Sequence, residues 1–180
     1  MKFNSIFLAG ILSLSHSTAG EFTTYRNGQG IDLFFDYTGE VMSNVSGGDH
    51  TGTGYNGLAS FGIEADLGQA LGWEGVTMRL SGIDLHGSGI DSHVGDMMGV
   101  SNIEGYGSVR LYESWVEKSF DAETLHLRLG LLLADEEFST LNTTDPFLNA
   151  TFGWPEFISM NTVTTGPAFY IPARGVRLQW

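Results

Sequence analysis

Alternation of apolar and polar residues is clearest between Thr124 and Leu133. Every second residue is a leucine, and these five would share one face of a β-strand: Leu125, Leu127, Leu129, Leu131 and Leu133. The residues between them would share the other face: Thr124, His126, Arg128 and Gly130. A soluble sheet could bury the leucine face in a core, whereas a membrane barrel would turn it toward lipid and leave the polar face on a water-filled lumen.

The same alternation predicts about six strands in all. The other five are Ile31–Val45, Leu58–Gly68, a segment from Val76 to Leu85, Val109–Ser119 and Gly175–Trp180. In the third strand the pattern slips near Gly82, where Ile83 and Leu85 become the apolar pair, and this predicts a β-bulge. Val109–Ser119 is less regular, because Glu113 and Trp115 fall on the same face.

The predicted connections alternate between long and short. Residues 46–56, 87–107 and 134–173 form long connections, whereas 69–75 and 120–123 are short. Such alternation is typical of an up-and-down outer-membrane barrel, with short periplasmic turns and long external loops. The sequence therefore predicts an all-β, antiparallel, up-and-down transmembrane β-barrel. Six strands cannot close a barrel, since bacterial barrels have ~8 or more, so the prediction is an incomplete barrel.

The N-terminus has the features of a secretory signal peptide. Lys2 supplies a positive start, Ile6–Leu14 is a short apolar core, and Ser17 and Ala19 are small residues at a cleavage site. We predict a signal peptide over residues 1–19 and a folded part over 20–180. Cleavage after Gly20 and a buried N-terminal helix are the alternatives.

Composition narrows the classes of function. The formal net charge of -13 makes nucleic acid an improbable partner, because phosphate binding needs a basic surface. The chain has no cysteine, which excludes disulfides and cysteine-ligated metals. His86 and His93 lie among aspartates, but their spacing matches no metal-ligand motif. No cofactor and no metal are predicted.

A resemblance to a known family rests on several blocks in a fixed order. They are Val100–Glu104, Val109–Trp115, Leu127–Gly130, Ala134–Phe138, Phe147–Pro155, Gly166–Tyr170 and Gly175–Leu178. With these blocks the chain resembles the carbohydrate-selective porins of Gram-negative outer membranes, the OprB type. The resemblance covers the sequence from about Ile31 to the end.

The resemblance implies a fold and a function. Members of that family look like monomeric 16-stranded barrels and are much longer, so residues 20–180 correspond to the N-terminal part of the barrel domain. The implied function is passive, carbohydrate-selective diffusion into the periplasm, with sugars, outer-membrane lipid and the barrel assembly machinery as partners. The chain by itself is expected to form no stable conducting pore. A secreted soluble β-protein that binds carbohydrate is the alternative.

Candidate binding residues lie on the predicted polar faces and just after the fifth strand. Arg128, Arg79 and Glu64 can hydrogen-bond sugar hydroxyls from a lumen wall, although simple wetting of the lumen explains many such residues. Asp135, Glu136 and Glu137 form an acidic run, and the resemblance implies that this run begins a long loop that narrows the channel. Neighbouring carboxylates on a loop rarely flank a glycosidic bond as hydrolysis requires, so we predict no enzyme activity.

Overall fold

The computed structural model describes residues 25–26, 28–120, 124–139, 143–144 and 147–180. In this part of the chain a single sheet contains seven antiparallel strands, in which each strand lies beside its neighbour in sequence. They are β1 (Tyr25–Arg26), β2 (Ile31–Asn44), β3 (Gly52–Asp66), β4 (Val76–Gly87), β5 (Ser108–Phe120), β6 (Leu125–Leu132) and β7 (Ala173–Gln179). This order is the up-and-down topology that the alternation predicts.

The helices are short and lie in the connections. They are α1 (Leu67–Leu71), α2 (Asp91–Val94) and α3 (Glu156–Ser159), with 3₁₀ turns at Ala150–Phe152 and Val163–Thr165. Among the described residues, no helix has the length and apolar character needed to cross a membrane. The predicted signal peptide, residues 1–19, lies outside the described residues.

The six predicted strands are confirmed, and the strict alternation of loop lengths is wrong for the first hairpin. There β3 begins at Gly52 rather than Leu58, because its early residues continue the pairing with β2 up to Asn44. The loop is therefore only 45–51. The connection that follows, 67–75, is longer because it contains α1, whose first turn is capped by the Asp66 carboxylate. The later connections keep the predicted order.

The predicted β-bulge near Gly82 is confirmed, but the extra residue lies in the neighbouring strand β5. The pairing of β3 with β4 is continuous, so β4 itself alternates without a slip. Between β4 and β5 the register shifts: Leu80 pairs with Ser114, and Gly82 pairs with Leu111. One β4 residue thus opposes two residues of β5, which places the bulge in β5.

One face of the sheet is exposed and apolar, and we call it the apolar face. It carries Leu33, Phe35, Phe61, Ile63, Leu80, Leu111, Val116, Leu129, Val176 and Leu178, each more than a third exposed. An exposed apolar surface that runs across this many strands is abnormal for a soluble monomer and normal for a surface that meets lipid. Leu133 was expected here as well, but it lies beyond the end of β6 and is buried.

The opposite face, the polar face, is partly covered by the two longest connections. These connections are 88–107 and 133–172, and both leave the same end of the sheet. At that end Leu58 of β3 lines a cavity together with residues of 88–107 and 134–172. Ile83 and Leu85 also lie on this face and are only 1% exposed. Their apolar character thus reflects burial on the polar face and not a switch to the lipid side.

Candidate functional site

Two adjacent rows of side chains cross the polar face near the short connections. In the first row Glu64 of β3 pairs with Arg79 of β4, and Arg79 pairs with Trp115 of β5. The second row joins three charged residues from successive strands: Glu117, Arg128 and Arg177. The first row and Arg128 of the second row line a cavity of about 670 Å³, which we call the arginine cavity.

Arg79 is held by carboxylates on both sides. Its Nη1 bonds the Glu64 carboxylate, and its Nε lies 2.7 Å from Oε2 of Glu113. The guanidinium also lies over the Phe34 ring, 4.7 Å from the centroid. Glu113 is only 2% exposed, and its Oε1 accepts a hydrogen bond of 3.0 Å from the Trp115 indole. The β5 bulge is what brings Glu113 onto this face beside Trp115.

Arg128 and Arg177 share one carboxylate. The Nε of Arg128 donates to Oε2 of Glu117 at 2.8 Å, and Nη1 of Arg177 donates to the same oxygen at 3.1 Å. The Arg128 guanidinium also stacks 3.9 Å from the centroid of the Trp115 ring. Because the two arginines share one carboxylate, the cluster has more N–H donors than Glu117 alone can bind, since each guanidinium has five.

The acidic run after β6 folds back against these arginines. Oε2 of Glu136 lies 3.9 Å from Nη1 of Arg128, and Oε1 of Glu137 lies 2.5 Å from Nε of Arg177. Asp135 turns the other way, and its Oδ2 accepts a hydrogen bond of 2.7 Å from the Phe169 backbone N–H. The segment 134–138 therefore lies against the polar face at Asp135, Glu136 and Glu137, while the Phe138 side chain stays exposed.

The run also has unusual acidity. Loss of water contact raises the pKa of Asp135. It likewise raises the pKa of Glu136 to about 7, helped by the negative charge of Glu113 and a hydrogen bond with it, and opposed by Arg128 and Arg79. With its pKa raised to about 7, the Glu136 side chain changes charge near neutral pH.

The structure brings most of the sequence-predicted residues together. Four of them line the arginine cavity: Glu64, Arg79, Arg128 and Glu136. Glu137 reaches the same cluster through Arg177, whereas Asp135 lines a second cavity. Sequence reasoning missed Glu113, Trp115, Glu117 and Arg177 as site residues. The alternation of β7 does place Arg177 on the polar face, and the shared face of Glu113 and Trp115 was visible as an irregularity.

The sheet is antiparallel and up-and-down, its apolar face is exposed, and its polar face carries charged residues. These features define part of the wall of a porin-like β-barrel. The fold matches the high-pH structure of OprB from Pseudomonas putida with a TM-score of 0.73 and 21% sequence identity. That match covers 84% of this chain and 37% of the OprB chain, so the chain spans little more than a third of that protein. No match was found among curated protein sequences. The sequence profile of the carbohydrate-selective porin, OprB family matches residues 50–180, and the chain belongs to this family.

Proposed function

We propose that the chain forms part of the wall of an outer-membrane channel through which carbohydrates diffuse passively into the periplasm. In this assignment the apolar face meets lipid and the polar face lines the lumen. Residues 1–19 act as the signal peptide for export, residues 20–180 belong to the barrel domain, and the barrel assembly machinery inserts the protein. The family membership supports this proposal, and no enzyme activity is part of it.

The side chains of the arginine cavity are the observation that supports sugar passage. Sugars are neutral and densely hydroxylated, so they are bound by groups that donate and accept several hydrogen bonds at fixed angles. Arg79 and Arg128 offer N–H donors, and Glu64 and Glu113 offer carboxylate oxygens. Glu64 and Glu113 also fix the Arg79 side chain, and Glu117 fixes that of Arg128. Such contacts replace part of the hydration of a sugar while remaining weak enough for release, which is what conduction requires.

Arg128→Ala should weaken sugar binding in the channel. The loss of one charge-assisted hydrogen bond, worth ~1.5–3 kcal/mol, should raise the sugar concentration for half-block roughly ten- to hundredfold. The measurement is planar-bilayer conductance with and without glucose, on a closed barrel that contains this chain. Leu129→Val, one residue along β6 but on the apolar face, is the matched control and should behave as wild type. Unchanged sugar block in Arg128→Ala would remove this site from the proposal.

Glu136 should make the ion selectivity of the channel depend on pH. Since its pKa is raised to about 7, the side chain is neutral below that pH and negative above it. Raising the pH from 6 to 8 should therefore add one negative charge to the arginine cavity and increase cation preference. Reversal potentials in a potassium chloride gradient measure this change. Glu136→Gln should abolish most of the pH dependence, and an equal dependence in that variant would contradict the assignment.

A further inference from the structure

A second cavity, of about 590 Å³, lies at the other end of the polar face, and we call it the loop cavity. Its wall comes from both long connections, and includes Asn102, Glu104, Asp135, Trp154, Phe169 and Tyr170. Among the described residues, none lines both this cavity and the arginine cavity. The inference below rests on the proposed function and adds a second binding position to it.

The wall of the loop cavity contains two polar atoms whose hydrogen-bonding capacity is unused. Oδ1 of Asp135 and Nε1 of Trp154 are both buried, and neither has a partner among the described residues. One is an acceptor and the other a donor. Buried polar atoms in native proteins nearly always have partners, so each atom calls for a group that the described residues do not supply. A hydroxyl group can donate to the first and accept from the second.

The same wall carries a fixed group of aromatic rings. Phe169 and Tyr170 meet edge to face with their centroids 5.6 Å apart, and Tyr106 packs against Tyr170 at 5.9 Å. The Arg110 guanidinium lies 5.1 Å from the Tyr170 centroid. Aromatic rings held in this way present rigid apolar surface, which suits the C–H faces of a sugar ring.

The position of the loop cavity is fixed by hydrogen bonds to the sheet. Glu104 accepts a hydrogen bond of 3.1 Å from the Ile90 N–H through its Oε2, and the same oxygen accepts one of 3.4 Å from the Asn56 side chain in β3. Ser101 bonds the Glu40 carboxylate of β2. The loop wall is therefore tied to the barrel wall, as a preformed binding site requires.

Charge restricts the class of ligand. Asp91, Asp96, Glu104 and Asp135 all line the loop cavity, and no arginine or lysine is among its lining residues in the described part of the chain. An anionic sugar would be repelled there, whereas a neutral sugar would not.

The two cavities adjoin through consecutive residues. Asp135 lines the loop cavity and Glu136 lines the arginine cavity, so segment 134–138 lies between them. We propose that the loop cavity is a second carbohydrate subsite, selective for neutral sugars, which a sugar occupies on the long-loop side before it passes segment 134–138 into the arginine cavity. In this subsite Asp135 and Trp154 bind hydroxyl groups, and Tyr170 packs against the ring.

The experiment uses a closed barrel that contains this chain, and it measures glucose binding by calorimetry and glucose block in planar bilayers. Gluconate is the anionic counterpart. Wild type should bind glucose at two positions, and Arg128→Ala should retain the one in the loop cavity. Asp135→Asn and Trp154→Phe each lose one hydrogen bond from a buried group, so the second position should weaken by roughly tenfold. Asp49→Asn and Trp73→Phe, which change the same residue types outside both cavities, are the matched controls.

The possible results distinguish failure of the second subsite from failure of the proposed channel function. A wild-type protein with a single glucose position that Arg128→Ala removes would overturn the second subsite and leave the proposed function intact. No glucose binding and no block in wild type would overturn the proposed function itself. Gluconate bound as tightly as glucose at the second position would also overturn the neutral-sugar subsite. If Asp135→Asn or Trp154→Phe fails to fold, the number of glucose-binding positions in wild type and in Arg128→Ala still tests the second subsite.

Discussion

Leu129→Arg should prevent most of the protein from reaching a folded state in the outer membrane. Leu129 is 49% exposed on the apolar face, between Leu127 and Leu131 of β6. A cation on the lipid face near the bilayer midplane costs ~2–4 kcal/mol, a large share of the stability of an ordinary protein. The measurement is the amount of heat-modifiable, folded protein that stays in the outer-membrane fraction after a high-salt wash.

Thr77→Arg is the matched control for this substitution. Thr77 pairs with Glu117 on the polar face, so the same cation would be placed in the lumen beside a carboxylate. We expect this variant to insert as wild type does. Normal insertion of Leu129→Arg would contradict the assignment of the apolar face to lipid. A wild-type protein released by the salt wash would instead favour the secreted, soluble carbohydrate-binding alternative.

The fold was largely predictable from the sequence because its signal is local. A strand with one face in lipid and one in water must alternate at every residue, and β6 shows this without knowledge of any other strand. The limits of β3 were less predictable, because Gly52 and its neighbours have weak strand propensity and are held by pairing with β2. The α1 turn likewise depends on the local cap at Asp66.

The bulge shows where local patterns fail. Ile83 and Leu85 are apolar residues on the polar face, where they are almost completely buried. The sequence pattern does not reveal that burial, so it suggested a slip in β4. The extra residue lies in β5, where the shared face of Glu113 and Trp115 was its direct sign.

Only part of the candidate site was predictable from the sequence, because alternation is a local signal and the site also depends on contacts between strands. Alternation assigns a residue to a face, and it did so correctly for the pairing partners Glu64 and Arg79. It does not give the register between strands, which decides that Glu117 lies between Arg128 and Arg177. It also cannot place segment 134–138. That Asp135 and Glu136 line different cavities depends on contacts with residues more than thirty positions away, such as Phe169.

Gly130→Ala should disrupt the centre of the arginine cavity without adding charge. Gly130 has a φ of 150°, a conformation that only glycine adopts readily, and it faces Trp115 across the β5–β6 pair. An added Cβ would lie 2.1 Å from the Ser114 carbonyl oxygen and 2.6 Å from Cα of Trp115. Both contacts are with backbone of the neighbouring strand, which cannot move aside without loss of pairing.

We expect this substitution to lower the free energy of unfolding by ~1–3 kcal/mol from the backbone conformation alone, with the steric clash in addition. Because Trp115 supports the Arg128 guanidinium, the folded fraction should also show weaker glucose block. Urea titration of the protein in lipid vesicles measures the first effect, and planar-bilayer conductance measures the second. Gly175→Ala is the control: Gly175 pairs with Gly130 from β7, but its added Cβ meets only the Leu132 side chain, at 3.3 Å or more. Equal stability of the two alanine variants would refute the close approach of β5 and β6 at Gly130, and with it the support of Arg128 by Trp115.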